Sequence, residues 1–345
     1  MIKNRLVQSF SLARSGVYFF ESIPFIFLNR WFTHRELPPP SNTQLSSALK
    51  KIRELFEKEA QNVEEGHYPL SVVEIENPWR HTRDFLNILA DGVRVALRMR
   101  QNRTKDFTGK SEELKKDLPE YYARNFHFQT DGYLSEASAR RYDHQVEILF
   151  SGTAGAMRRL ILPPLKRFAD RQGRWLELAC GTGSATKSVL ETFPQAKVTA
   201  LDLSRPYLKI AQENLRKYDH VDFVNGDATA LDFRDSTFDV VYSVYLFHEL
   251  PRKEREQVVR EAFRVLKPGG LLVFADSLQS GDDPDLEWAL ERFPKVYHEP
   301  FYKDYMNDKL EALVGRLTET QPEHDQGFFT KVVWAKKTLA PASDV

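Results

Sequence analysis

The chain has 345 residues, 41% of them hydrophobic and 28% charged, which excludes a disordered chain and accommodates a catalytic-size domain plus an extension. Its 49 basic and 49 acidic side chains balance, so it carries no electrostatic footprint of a nucleic-acid binder, and no nucleic-acid partner is expected.

The N-terminal stretch places Lys3, Arg5 and Arg14 ahead of an aromatic run, VYFFESIPFIFLNRWF, from Val17 to Phe32. Glu21 and Pro24 break that run, so it has neither the length of a membrane span nor the unbroken centre of a signal peptide. It is expected to pack on the protein's own body. An interfacial membrane anchor or a partner-docking segment is the sharper alternative, and a transit peptide a third. Pro38-Pro39-Pro40 stiffens the exit from it. Leu45, Leu49, Ile52, Leu55, Phe56 and Ala60 then share one helical face, closed by Gly66. A second helix starts at Asn77-Pro78, a cap followed by proline at the first helical position. Its basic end (Arg94, Arg98, Arg100, Arg103, Lys105) reads as a solvated helix terminus, with an anion site as the alternative. Residues 105–118 read as a linker. Ser135 can cap a helix to about Phe150, and a helix from Thr153 to Ala169 is expected to kink at Pro163-Pro164.

From Trp175 short apolar runs alternate with amphipathic helices. Strands are expected at Trp175–Ala179, Lys197–Asp202, Val221–Asn225, Phe238–Ser243, Leu271–Ala275 and Phe328–Lys336. That rhythm predicts an α/β fold, a doubly wound and mostly parallel sheet. The first strand runs into Glu177-Leu-Ala-Cys-Gly181-Thr-Gly183-Ser184, a glycine turn that lets a ligand approach backbone N–H groups. Asp202 ends the second strand, where a carboxylate can accept ribose hydroxyls. Asn225-Gly-Asp227-Ala228 follows the third strand and offers a second acid. Thr186 stands where a dinucleotide-binding turn has its third glycine.

Taken in order, ELACGTGS, ALDLS, VNGDA, FDVVYS and LKPGG resemble the motif series of class I S-adenosylmethionine-dependent methyltransferases, over roughly residues 170–275. The core is similar to the ubiquinone/menaquinone-biosynthesis type. The resemblance implies a seven-stranded sheet with S-adenosylmethionine as cofactor. It implies Glu177 and Gly181 at the methionine end, Asp202 with Leu203 at the ribose and Asp227 with Ala228 at the adenine. Ala179, Gly183 and Ser243 complete the expected cofactor set. Ala179 stands where the family often has glycine, and only a minor change in the loop is expected.

Methyl transfer asks for in-line positioning, exclusion of water and, where the acceptor must lose a proton, a base. His248, after the fourth strand, is the base candidate. Tyr133 and Tyr142, in a lid before the first strand, are candidates to reach the sulfonium or the acceptor. Asp276-Ser277 and His298-Glu-Pro-Phe-Tyr302 are expected at the entrance. The fourth strand has no terminal acid, so no metal is expected. It is followed by no Asp/Asn-Pro-Pro-aromatic run, which argues against amino-methylation of bases. The single cysteine, Cys180, lies inside the cofactor turn, excludes an intramolecular disulfide and fits a reducing, cytoplasmic compartment.

The expected organisation is a helical extension over 1–115, a helical lid over 116–170 and the cofactor-binding domain over 171–345. The expected partner is a small-molecule methyl acceptor, with peripheral membrane contact or self-association through the extension left open. The rivals are a methyltransferase of protein or RNA and a non-catalytic scaffold that binds the cofactor.

Overall fold

The computed structural model describes residues 2–33, 38–73, 77–168 and 172–338, and the side chains of residues 2–3 and 29–33 fall outside that description. Among the described residues the sheet has seven strands: β1 (Arg174–Leu178), β2 (Lys197–Asp202), β3 (Val221–Asn225), β4 (Phe238–Val244), β5 (Leu266–Ser277), β6 (Glu323–Gly327) and β7 (Thr330–Lys336). Their order is β3-β2-β1-β4-β5-β7-β6. The first five run parallel, and β7 is antiparallel to both β5 and β6. The apolar runs of β1, β4 and β5 are buried because helices cover both faces of the sheet. The chain builds outward from β1 to β3 and then returns to β4. A crevice at the carboxyl ends of β1 and β4 is where such a sheet takes a ligand.

Thirteen helices are described: α1 (Ile2–Thr33), α2 (Asn42–Glu64), α3 (Pro78–Gln101), α4 (Lys110–Leu114), α5 (Glu136–Leu149), α6 (Ala154–Arg159), α7 (Leu162–Phe168), α8 (Ser184–Thr192), α9 (Arg205–Asn214), α10 (Arg252–Val265), α11 (Glu287–Val296), α12 (Tyr302–Met306) and α13 (Leu310–Thr318). The capping signals act as expected. Asn77 Oδ1 accepts from the N–H groups of Trp79 and Arg80, and Ser135 Oγ accepts from that of Ser138.

Several boundaries differ from the sequence expectation. Glu21 and Pro24 interrupt the apolar run but not the helix, because α1 continues through both. Glu21 points inward and joins His81 of α3 and His144 of α5 at 2.7 and 2.9 Å. One face of α1 packs on the body through Val7, Ser11, Ser15 and Tyr18, whereas Phe19, Phe20, Ile26 and Phe27 remain exposed. No described helix is long and apolar enough to cross a membrane. The expected linker contains α4, and Thr108 there donates to Asp131. The expected helix from Thr153 is two helices, α6 and α7. The break falls at Leu160–Ile161 rather than at the prolines, which occupy the first turn of α7, where no intrahelical N–H is needed. Its expected end, Ala169, lies outside the described residues. β5 begins five residues before Leu271, tied by Gly269 N–H to the Lys337 carbonyl at 2.8 Å. The last strand begins at Thr330, because Phe328 turns at φ +51 to form the β6–β7 hairpin.

Candidate active site

The turn after β1 combines three left-handed residues, Ala179 (φ +56), Gly181 (φ +56) and Gly183 (φ +83). A Cβ on Gly181 would meet no protein atom within 4 Å, so this glycine leaves room for a ligand. A Cβ on Gly183 would lie 2.8 Å from Leu215, so that glycine serves packing against the end of α9. Gly183 accordingly does not line the cleft. Ala179 does line it, and its departure from glycine is one of backbone rather than size, since a left-handed alanine costs roughly 1–2 kcal/mol.

Three acids face the cleft from successive strands. Glu177 is buried, and its Oε2 accepts from Thr186 Oγ1 and from the Tyr242 hydroxyl at 2.5 and 2.9 Å. Burial pushes its carboxyl up to about 7 against those two hydrogen bonds. Asp202 accepts from the backbone N–H groups of Gly181 and Ser204, each at 2.7 Å, and burial raises it to about 6. Asp227 Oδ1 accepts from the N–H and hydroxyl of Thr229. Leu203 and Ala228 line the same cleft. Ser243 does not. Its hydroxyl donates to the Leu178 carbonyl at 2.9 Å and locks β4 to β1.

The segment before β1 closes over these groups. Tyr133 packs against Tyr142 and Tyr207, and its carbonyl accepts from Ser204 Oγ at 2.5 Å. Its hydroxyl donates to Glu249. Asp143, on α5, accepts from Thr182 Oγ1 and Ser184 Oγ, each at 2.7 Å, and so ties the lid to the glycine turn. Gly132 (φ +53) makes this path possible, because a Cβ there would lie 2.2 Å from the Arg124 carbonyl oxygen.

His248 follows β4 and is buried, with Nδ1 2.7 Å from Asp276 Oδ1. Asp276 is also buried and accepts from the N–H groups of Phe247 and Ser277. Burial pulls the imidazole down, but Asp276, supported by Glu249 and Glu299, outweighs it and holds His248 at about 9. The role of base expected from sequence requires a pH above that value. Cys180 is buried, and burial pushes its thiol well up, which suits packing rather than nucleophilic chemistry.

Comparison with known proteins agrees with this geometry. A family model described as a methyltransferase domain matches residues 176–270. A phthiotriol/phenolphthiotriol dimycocerosates methyltransferase of Mycobacterium ulcerans is 37% identical over 121 residues, 35% of this chain and 44% of that protein. A demethylmenaquinone methyltransferase of Lactiplantibacillus plantarum is 30% identical over 179 residues, 50% of this chain and 74% of that protein. The chain belongs to the class I S-adenosylmethionine-dependent methyltransferases. It spans about half the length of other curated relatives it matches. A solved S-adenosylmethionine-dependent methyltransferase of Methanosarcina mazei aligns at 20% identity and a TM-score of 0.42, over 52% of this chain and 98% of that one.

The residues of this methyltransferase fit its cofactor. The open space at Gly181 admits a chain against the backbone. Glu177 retains Oε1 without a protein donor among the described residues, an acceptor suited to an ammonium group. Each Asp202 oxygen holds one N–H and keeps a lone pair for a hydroxyl. Of the three residues singled out for chemistry, Tyr133 and Tyr142 line the cofactor cleft, whereas His248 lies in a neighbouring cavity. Asp143 stands in sequence only as the neighbour of Tyr142, and Asp276 only as an expected entrance residue after the fifth strand. Glu249 carried one signal, its place beside His248. Their pairings are long-range, which a single sequence does not display.

Proposed function

We propose that this protein transfers a methyl group from S-adenosylmethionine to a small apolar acceptor by in-line displacement. The observation that carries this reading is the open glycine turn at Gly181, flanked by Glu177, Asp202 and Asp227 and roofed by Tyr133 and Tyr142. Bound there, the cofactor supplies a methyl group on a sulfonium, with a neutral thioether as leaving group. The protein's share is to orient and to exclude water. Asp143 fixes the turn, the tyrosine cluster closes the cleft, and its ring faces favour a cationic centre. A quinone- or lipid-like acceptor is supported by relatives that act on demethylmenaquinone and phthiotriol dimycocerosates by name.

The test uses methyl-labelled S-adenosylmethionine, the purified protein and an extract of its source. Products are separated into lipid, polar small-molecule, protein and nucleic-acid fractions. Label is expected in the lipid or small-molecule fraction and absent with Gly181→Arg. Label confined to protein or RNA would replace the acceptor class. No label in any fraction, despite measurable cofactor binding, would favour the scaffold reading.

A further inference from the structure

Glu21 is an acid in the middle of an aromatic run, yet it sits on the inward side of α1 with its side chain largely buried. Turning a carboxylate into a helix interface costs free energy unless it meets partners there. Two imidazoles meet it, from two other helices. Glu21 Oε1 lies 2.7 Å from His81 Nε2 of α3, and its Oε2 lies 2.9 Å from His144 Nε2 of α5. The two rings stand edge to face, 4.6 Å between centroids. The buried ring of Tyr18, one helical turn before Glu21, packs 5.2 Å from each of them.

These side chains bring three ligand atoms, a carboxylate oxygen and two imidazole nitrogens, within 4.8 Å of one another. A zinc-like ion bonds such atoms at about 2.0–2.2 Å, which sets them roughly 3.3 Å apart at a tetrahedral angle. Spreading the contacts of Glu21 by about half an ångström, within reach of side-chain rotation, admits an ion. The choice of partners favours an ion over hydrogen bonds alone. Glu59, Asp91 and Glu147, the other buried acids of this interface, are met by hydroxyl and guanidinium groups. At Glu21 both partners are imidazoles, side chains whose lone pairs suit transition metals. His81 and His144 also line a wide cavity between the N-terminal helices and the core. It gives an ion a path in and a water molecule room as a further ligand. Among the cations of that cavity, Arg14, Arg80 and Arg141 are paired with Glu147, Asp84 and Asp91.

We propose that Glu21, His81 and His144 form a binding site for a divalent transition-metal ion of the zinc type, with water as the remaining ligand. Two nitrogen donors and one oxygen suit such an ion, whereas calcium and magnesium take oxygen throughout. None of the three residues lines the cofactor cleft, so the ion has a structural task apart from methyl transfer. It staples α1, the first helix of the extension, to α3 and α5. The staple reaches the active site through α5, where Tyr142 and Asp143 of the cleft directly precede His144. The proposal is independent of which acceptor the enzyme methylates.

The test reads metal binding directly. The full-length protein, free of any polyhistidine tag and stripped with a chelator, is titrated with Co²⁺ and then with Zn²⁺. One equivalent of Co²⁺ per chain is expected to give the visible absorption of a four- or five-coordinate ion, and Zn²⁺ to abolish it. Zn²⁺ at about a hundredfold excess over its Kd is expected to raise Tm by about 3 °C or more. Glu21→Gln and His144→Ala are each expected to weaken Zn²⁺ binding by at least about tenfold, measured by competition with a chromophoric chelator. Should these variants fail to fold, X-ray absorption by the Zn²⁺-loaded unmodified protein reads the ligands themselves, and two imidazoles with oxygen and no sulfur are expected. Absence of saturable binding, unchanged affinity in the folded variants, or a ligand shell without two imidazoles would overturn the proposal. Glu21 would then be a carboxylate held by two imidazole N–H groups.

Discussion

Ala179 holds φ +56 at the mouth of the cofactor cleft, a conformation that glycine adopts without a steric cost. Ala179→Gly is therefore expected to leave stability unchanged or raise it by up to about 1 kcal/mol, despite the entropy glycine loses on folding. Urea unfolding checks this, and a loss of stability would show that the turn does not strain the alanine. Glu177 presents a different balance. Its folded value of about 7 lies above the ordinary 4.5, so the fold favours the neutral acid. The stability this contributes is complete below about 4.5 and is lost as pH rises through about 7. A cationic ligand group reverses that preference by neutralising the ionised carboxylate. S-adenosylhomocysteine affinity is accordingly expected to rise between pH 6 and pH 8, by roughly tenfold if Glu177 meets the ammonium group. Calorimetry at the two pH values decides it, and a flat profile would remove Glu177 from that contact.

At the scale of elements, α5 ties the segment before β1 to the core, because Asp143 binds both hydroxyls of the glycine turn. Asp143→Ala removes two charge-assisted hydrogen bonds and is expected to weaken cofactor binding by roughly tenfold with the fold intact. A Kd within twofold of the unmodified protein would make the clamp dispensable. The same scale shows what the sequence displays and what it hides. The buried strands β1 and β2 were legible because apolar runs ending in glycine or an acid have few other readings. β6, Glu-His-Asp-Gln-Gly, was not, because an edge strand exposed along its length has no apolar face to show. Among the residues that line the cleft, Glu177, Gly181, Asp202 and Asp227 were picked out by local pattern at strand ends and in the turn. The turn of the Ser243 hydroxyl to a neighbouring strand was not legible, because it is set by register rather than by local sequence. The partnership of His248 with Asp276 joins two strand ends that only the sheet order makes adjacent.

Across the whole molecule, the N-terminal helices are tied to the helices before β1 by a buried ion pair. Glu59 of α2 accepts from Arg159 Nε of α6 at 2.7 Å and from Ser11 of α1 at 3.0 Å. Arg159 is itself buried, so Glu59→Ala leaves a buried guanidinium without its carboxylate and is expected to cost about 3–5 kcal/mol. Chemical unfolding measures that loss, and a change under about 1 kcal/mol would mean that the extension does not depend on this pair. The methyltransferase reading depends on the cleft at the carboxyl ends of β1 and β4 holding S-adenosylmethionine through Asp202. The most direct measurement is a calorimetric titration of the unmodified protein and of Asp202→Ala with S-adenosylhomocysteine. The protein is expected to bind, and the variant to bind more than about tenfold more weakly, a difference on the order of 1.4 kcal/mol. Equal affinity in the two proteins would contradict the assignment of this cleft.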